Sequence, residues 1–150
     1  MTSQLITADL VAIDLAAATK DVVIEALAER LAAAGRVTDG ETFAADVRAR
    51  EAQTPTGLPG QVGLPHAKSD AVLTPSLAVA TVPGGVDFGG PDGPSTLVFL
   101  IAAPALGDNV HLQILAKLAR KLMNAEFMAS VRAATDGETL AALVNEAVTA

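Results

Sequence analysis

Seven consecutive apolar residues, Leu97–Ala103, run without a polar interruption and stop at Pro104. Such a run has no solvent-facing side, so as a strand it needs apolar cover on both faces. It is far shorter than the roughly 20 residues that cross a bilayer. The cover must come from helices, and the flanking sequence supplies them. Thr19 reads as an N-cap for a helix over Lys20–Ala34, where Val23, Leu27 and Leu31 recur every four residues and Gly35 marks the stop. A second helix is expected over Glu41–Ala52, with Phe43 and Val47 on its buried side. After the central run, Leu112, Leu115, Leu118, Ala119 and Leu122 follow the i, i+3, i+4 rule. A shorter helix spans Ala125–Ala134, and Asp136 caps a last one carrying Leu140, Leu143 and Val144. Further strands are expected within Leu10–Leu15, at Val62 and Leu64, over Ser76–Val82, and over Thr96–Ala103 around the central run itself. The expectation is an α/β fold, a mixed sheet flanked by helices on both faces, forming a single domain over residues 1–150.

Composition narrows the chemistry. Apolar residues make up 51% of the 150, enough for a packed core, while only four Phe and no Tyr or Trp contribute aromatic bulk. Ten basic against 17 acidic residues give a net charge of −7, which offers no clustered positive footprint for nucleic acid. The absence of cysteine excludes disulfides, thiolate nucleophiles and Cys-based zinc sites. No basic-then-apolar leader opens the sequence, so a cytoplasmic location without membrane insertion is expected. Nucleotide-cradling glycine motifs, a nucleophile elbow and H-E-x-x-H are all missing.

Imidazole chemistry must use His66 and His111, the two histidines of the chain. His66 follows Pro65 directly and the irregular stretch Thr54–Gly63, which holds two Pro and three Gly. Pro65 restricts Leu64 to extended conformations, so His66 is presented at the end of a strand from a stiff support. The plain alternative is an exposed loop histidine. His111 opens the Leu-rich helix; with Asp108 as N-cap it stands in the first turn, where the helix dipole favours a neutral ring and attracts anions. An ordinary helix-start histidine, or a metal site made by His66, His111 and Asp108, fits the same pattern. Arg50 ends the second helix just before the irregular stretch, and its planar fork suits phosphate or carboxylate, although most arginines there only face solvent. Lys68 and Asp70 read as surface charges, and Lys117, Arg120, Lys121 and Arg132 as a solvated helical face.

Five segments occur in a consecutive order: R-E-x-x-x-x-T-G (Arg50–Gly57), G-L-P-H-A (Gly63–Ala67), G-V-D-F followed by D-G (Gly85–Gly93), L-V-F-L-I-A-A-P (Leu97–Pro104) and H-L-Q-I-L-A-K-L-A-R (His111–Arg120). Together they resemble the enzyme IIA domain of the fructose/mannitol class of the bacterial phosphoenolpyruvate-dependent sugar phosphotransferase system. The resemblance covers nearly the whole chain and is strongest over Arg50–Leu122. It implies a phosphotransferase component that takes a phosphoryl group from the phosphocarrier HPr and passes it to a cysteine of enzyme IIB, associated with membrane enzyme IIC, for uptake of a fructose-type sugar. It further implies that His66 is phosphorylated through Nε2, that His111 and Arg50 complete the catalytic set, and that Thr56 borders the same phosphate pocket. Val62-Gly63-Leu64 departs mildly from the family's usual residues before P-H. No cofactor or metal is implied. The regulatory, nitrogen-type paralogues of the same family form a second reading, and a metal-dependent enzyme a third. Phosphoryl transfer needs mainly positioning and charge stabilisation, which an imidazole and an arginine can supply without a nucleotide cradle.

Overall fold

The computed structural model describes residues 5–105 and 110–149, without the side chains at 110, 111 and 149. A 3-10 turn (Ala8–Leu10) leads into β1 (Val11–Ala12), which ends where Asp14 turns the chain with φ 54°. α1 (Lys20–Ala33) and α2 (Gly40–Gln53) come next. The irregular stretch contains two short strands, β2 (Gly57–Leu58) and β3 (Val62–Gly63), and β4 (His66–Ser69) comes directly after it. β5 (Ser76–Val86) and β6 (Ser95–Pro104) are the long strands, and α3 (Val110–Leu122), α4 (Ala125–Ala133) and α5 (Gly137–Thr149) complete the chain.

The six strands form one sheet in the order β1-β5-β6-β3-β2, with β4 also paired to β6. β5 and β6 are antiparallel, whereas β1 runs parallel to β5 and both β3 and β4 run parallel to β6. The sheet is therefore mixed, as the sequence indicates. Every residue from Leu97 to Ala103 is buried, and alternate residues of a strand point to opposite faces, so β6 is covered on both. α1 packs on β5, α2 on β4, α3 on β6 and α5 on β1. Phe43, Phe88 and Phe99 are fully buried among aliphatic side chains. Among the described residues no helix is long and apolar enough to cross a membrane.

The helix limits agree with the capping residues. Thr19 Oγ1 accepts from the Val22 N–H at 3.3 Å, Asn124 Oδ1 from Phe127 at 2.9 Å, and Gly35 leaves α1 with φ 75°. Two strand limits differ from the sequence reading. β5 continues through Pro83, Gly84 and Gly85 to Val86, because β1 pairs only with Val79 and Ala80 and leaves the later edge open, where a residue without an N–H costs no ladder bond. A register shift between Thr81 and Val86 absorbs the glycines. His66, expected at the end of a strand, instead begins one, which also sets aside the loop alternative. β3 and β4 keep one register against β6, Val62 opposite Leu97 and His66 opposite Ile101, so they are a single strand interrupted at Leu64–Pro65.

Two exposed caps carry a pH signature. The Thr42 hydroxyl (2.8 Å) and the Glu41 N–H (3.0 Å) hold the Asp39 carboxyl below its ordinary value of 3.8. The Thr139 N–H (2.8 Å) and hydroxyl (3.0 Å) do the same for Asp136. A depressed folded-state value means that the stabilisation is complete above 3.8 and is lost as pH falls through the lower folded value. The urea midpoint is expected to drop in that acid window, and to drop less steeply in an Asp39→Asn, Asp136→Asn protein; unfolding titrations between pH 2 and 6 measure it.

Candidate active site

α2 carries two stripes. Phe43, Ala44, Val47 and Glu51 face the core, while Asp46, Ala49, Arg50 and Gln53 lie about one helical position round. The second stripe meets His66, Ala67 and Lys68 of β4 and lines with them an open pocket of 360 Å³. The Ser69 hydroxyl donates to Asp46 Oδ2 at 2.5 Å and accepts from the Ala71 N–H at 3.1 Å, which fastens the helix to the strand. The structure thus brings His66 and Arg50 together, both half-buried, although they belong to different elements. Arg50 spends one N–H of its fork on the Thr54 carbonyl at 3.3 Å, which closes the end of α2 and orients the guanidinium.

His66 Nδ1 lies 2.9 Å from the Leu64 carbonyl oxygen. A carbonyl only accepts, so Nδ1 carries the proton and Nε2 holds the lone pair of the neutral ring. The carbonyl is available because Leu64 stands at an edge. Its N–H is bonded to the Thr56 carbonyl at 3.2 Å, and past that point no strand pairs with β4 on this side among the described residues. An imidazole with an oriented Nε2 beside a guanidinium is a nucleophile placed next to a binder of tetrahedral oxyanions.

The stretch before His66 is held by close backbone contact. The Gly57 N–H donates to the Phe88 carbonyl at 2.8 Å, and a Cβ at residue 57 would overlap the Gly90 nitrogen and approach the Phe88 oxygen to 2.7 Å. At the tip of the β2–β3 hairpin, Gln61 has φ 62°, an unusual conformation for a residue with a side chain. Arg132 of α4 holds this tip, donating to the Gly60 carbonyl at 2.7 Å and to Thr96 Oγ1 at 2.8 Å, and Asp92 Oδ2 accepts from the Gly60 N–H at 2.6 Å. Arg132 therefore ties α4 to the hairpin and is not merely part of a solvated face.

Thr56 is buried and is not among the described residues lining the pocket. Its hydroxyl donates to Glu51 Oε1 at 2.6 Å and its N–H to Oε2 at 2.9 Å. Glu51 is the residue that sequence reasoning passed over. It occupies the core stripe four residues after Val47, and an acid at a core position of an amphipathic helix is itself a signal. Lys68, read from sequence as a surface charge, shares the pocket with His66 and Arg50. The backbone of His111 stands in the first turn of α3, as expected. Its side chain and the whole of Asp108 lie outside the described residues, and with them the metal triad. Among the described residues no three His, Cys, Asp or Glu side chains are grouped to hold a metal.

Residues 4–147 match the family model "Phosphoenolpyruvate-dependent sugar phosphotransferase system, EIIA 2". The chain belongs to this EIIA family. It is accordingly a phosphotransferase component with a phosphocarrier role in that system. It is 36% identical over 141 residues to the fructose-specific EIIA component of Haloferax volcanii, covering 93% of this chain and 92% of that protein. It is 30% identical over 145 residues to the fructose-specific EIIABC component of Bacillus subtilis, covering 96% of this chain but only 23% of that longer protein. Among solved structures, the nitrogen regulatory protein IIA-Ntr of Neisseria meningitidis superposes with TM-score 0.79 at 25% identity, over 93% of this chain and 96% of that one. IIA mannitol of Escherichia coli gives 0.78 at 28% identity, over 93% and 98%. The complex of enzyme IIAMTL with phosphorylated enzyme IIBMTL from Escherichia coli gives 0.78 at 26%, over 94% and 97%. The family and the mixed-sheet fold expected from sequence are both borne out.

In this EIIA chain the close contact of Gly57 with Gly90 and Phe88 admits no side chain. Gly57→Ala is expected to cost about 3 kcal/mol by overpacking against the Gly90 and Phe88 backbone. Urea unfolding of the two proteins, compared at equal slope, measures it.

Proposed function

We propose that this EIIA chain, acting as a single domain over residues 1–150, is a phosphohistidine carrier. His66 accepts a phosphoryl group from an HPr-like phosphocarrier and passes it to a cysteine of enzyme IIB, associated with membrane enzyme IIC. The observation that carries the reading is the hydrogen bond from His66 Nδ1 to the Leu64 carbonyl, in a pocket that also holds Arg50. In the first transfer the Nε2 lone pair attacks phosphorus as the donor's phosphorus–nitrogen bond breaks. The ring then carries Nδ1–H and Nε2–phosphoryl, a positively charged form that the Leu64 carbonyl stabilises and that departs readily when a thiolate attacks. Arg50 neutralises the equatorial oxygens, with His111 as a second donor at the start of α3, while Thr56 acts from outside the pocket lining through its bond to the Leu64 N–H. Lys68 adds positive charge to the same pocket.

A fructose-type sugar is the favoured end point, supported by the fructose-specific name of the Haloferax volcanii relative. The EIIABC arrangement of the Bacillus subtilis relative and the IIA–IIB complex from Escherichia coli support enzyme IIB as the acceptor. The fold likeness to the Neisseria meningitidis regulator supports the second reading, in which phosphorylation of the same histidine controls partner proteins. Transfer onward to a IIB cysteine, assayed with the phosphorylated protein, separates the two.

Incubation with phosphoenolpyruvate, enzyme I and HPr, with intact-mass measurement afterwards in the absence of acid, is expected to add one acid-labile phosphoryl group. His66→Ala is expected to abolish the addition. Arg50→Ala and His111→Ala are expected to slow it by about 10²-fold, the scale for loss of one oxyanion donor, with the fold retained. Normal phosphorylation of His66→Ala overturns the reading.

A further inference from the structure

The buried acid at residue 51 is not needed to close α2, and burying a carboxylate is costly unless its oxygens are fully engaged. Here both are. Glu51, 2% exposed, binds the Thr56 N–H with Oε2 and the Thr56 hydroxyl with Oε1, and Lys20 Nζ lies 3.8 Å from Oε2. Lys20 is partly exposed and distant for an ion pair, so it balances the charge weakly and the Thr56 donors do most of the holding. From Thr56 the path continues. The Thr56 carbonyl accepts from the Leu64 N–H at 3.2 Å, and the Leu64 carbonyl accepts from His66 Nδ1 at 2.9 Å. Among the described residues no further strand pairs along this edge, so no ladder donor competes with the imidazole for that carbonyl.

We propose that Glu51 is a positioning residue for His66, acting through Thr56 and Leu64 to hold the ring with Nδ1 protonated and Nε2 directed at the pocket. The inference deepens the phosphocarrier reading and rests on it for its kinetic consequence. The tautomer itself is independent of any transfer. With Glu51 removed, Thr56 loses both anchors, Leu64 is no longer fixed from the β2 side, and the imidazole samples both tautomers. Glu51→Gln keeps an acceptor for the Thr56 N–H, and its amide can donate to the hydroxyl oxygen, so it preserves the position while removing the charge.

The test combines nitrogen NMR of the His66 ring with the rate of phosphorylation by phospho-HPr, in the full chain. The native protein is expected to show a single Nδ1–H tautomer at pH 8. Glu51→Ala is expected to show mixed tautomers and a rate lower by about tenfold, the scale of a small misplacement of a reacting group, while Glu51→Gln retains the single tautomer and most of the rate. A folded Glu51→Ala protein that keeps the native ring spectrum and rate overturns the proposal, as does a Glu51→Gln protein impaired as much as Glu51→Ala. Where Glu51→Ala does not fold, Thr56→Val decides in the same way, since it removes the hydroxyl bond alone; an unchanged ring spectrum there counts against the proposal. Failure of the native protein to accept phosphate counts against the carrier reading and leaves the tautomer comparison to judge Glu51.

Discussion

β6 is paired along both edges and buried on both faces, and that double confinement governs everything around it. A strand so enclosed cannot slip by one residue without turning its side chains to the opposite layer, so its register is fixed strongly. β3 and β4 inherit that register, and with it the position of His66 opposite Ile101. The His66 ring is thereby referenced to a strand enclosed on both faces and both edges. What faces it, α2, is tied on by Ser69–Asp46 and by the packing of Phe43 and Val47.

The site combines two kinds of support that do different work. Apolar packing sets where α2 and β4 lie, but packing is indifferent to which ring nitrogen holds a proton. Hydrogen bonds settle that choice, and here they come from backbone groups the sheet leaves unpaired at its edge. An exposed sheet edge is ordinarily a hazard that proteins cover or charge. This chain packs α2 against β4 and uses one carbonyl of the edge to orient an imidazole.

Much of this was legible in the amino-acid order, and the parts that were not have identifiable reasons. The helices over Lys20–Ala33 and Gly40–Gln53 were readable because caps and apolar spacing agree there. β6 was readable because an unbroken apolar run admits few environments. His66 and Arg50 were candidates from local context and from family resemblance, but their meeting in one pocket depends on α2 packing against β4, a tertiary fact. β4 itself escaped because four residues, H-A-K-S, carry too little pattern to announce a strand that exists through its pairing with β6. Glu51 escaped because a charged residue in a helix is read as solvent-facing by default, although its spacing from Phe43 and Val47 put it on the core stripe. Arg132 escaped because its partners, the Gly60 carbonyl and the Thr96 hydroxyl, lie far away in the chain, which no spacing rule encodes.

The interruption at Leu64–Pro65 removes one ladder donor yet leaves the offset between β3 and β6 equal to that between β4 and β6. The hairpin ahead of it therefore shares the register of β4 and is joined to it through Leu64, whose N–H reaches the Thr56 carbonyl. At its far end the hairpin is gripped through the Gly60 backbone by Arg132 and Asp92, so both of its ends are tied to the rest of the fold. A break that costs one hydrogen bond and no register lets two short strands, each too brief to hold a place alone, share a single edge of β6.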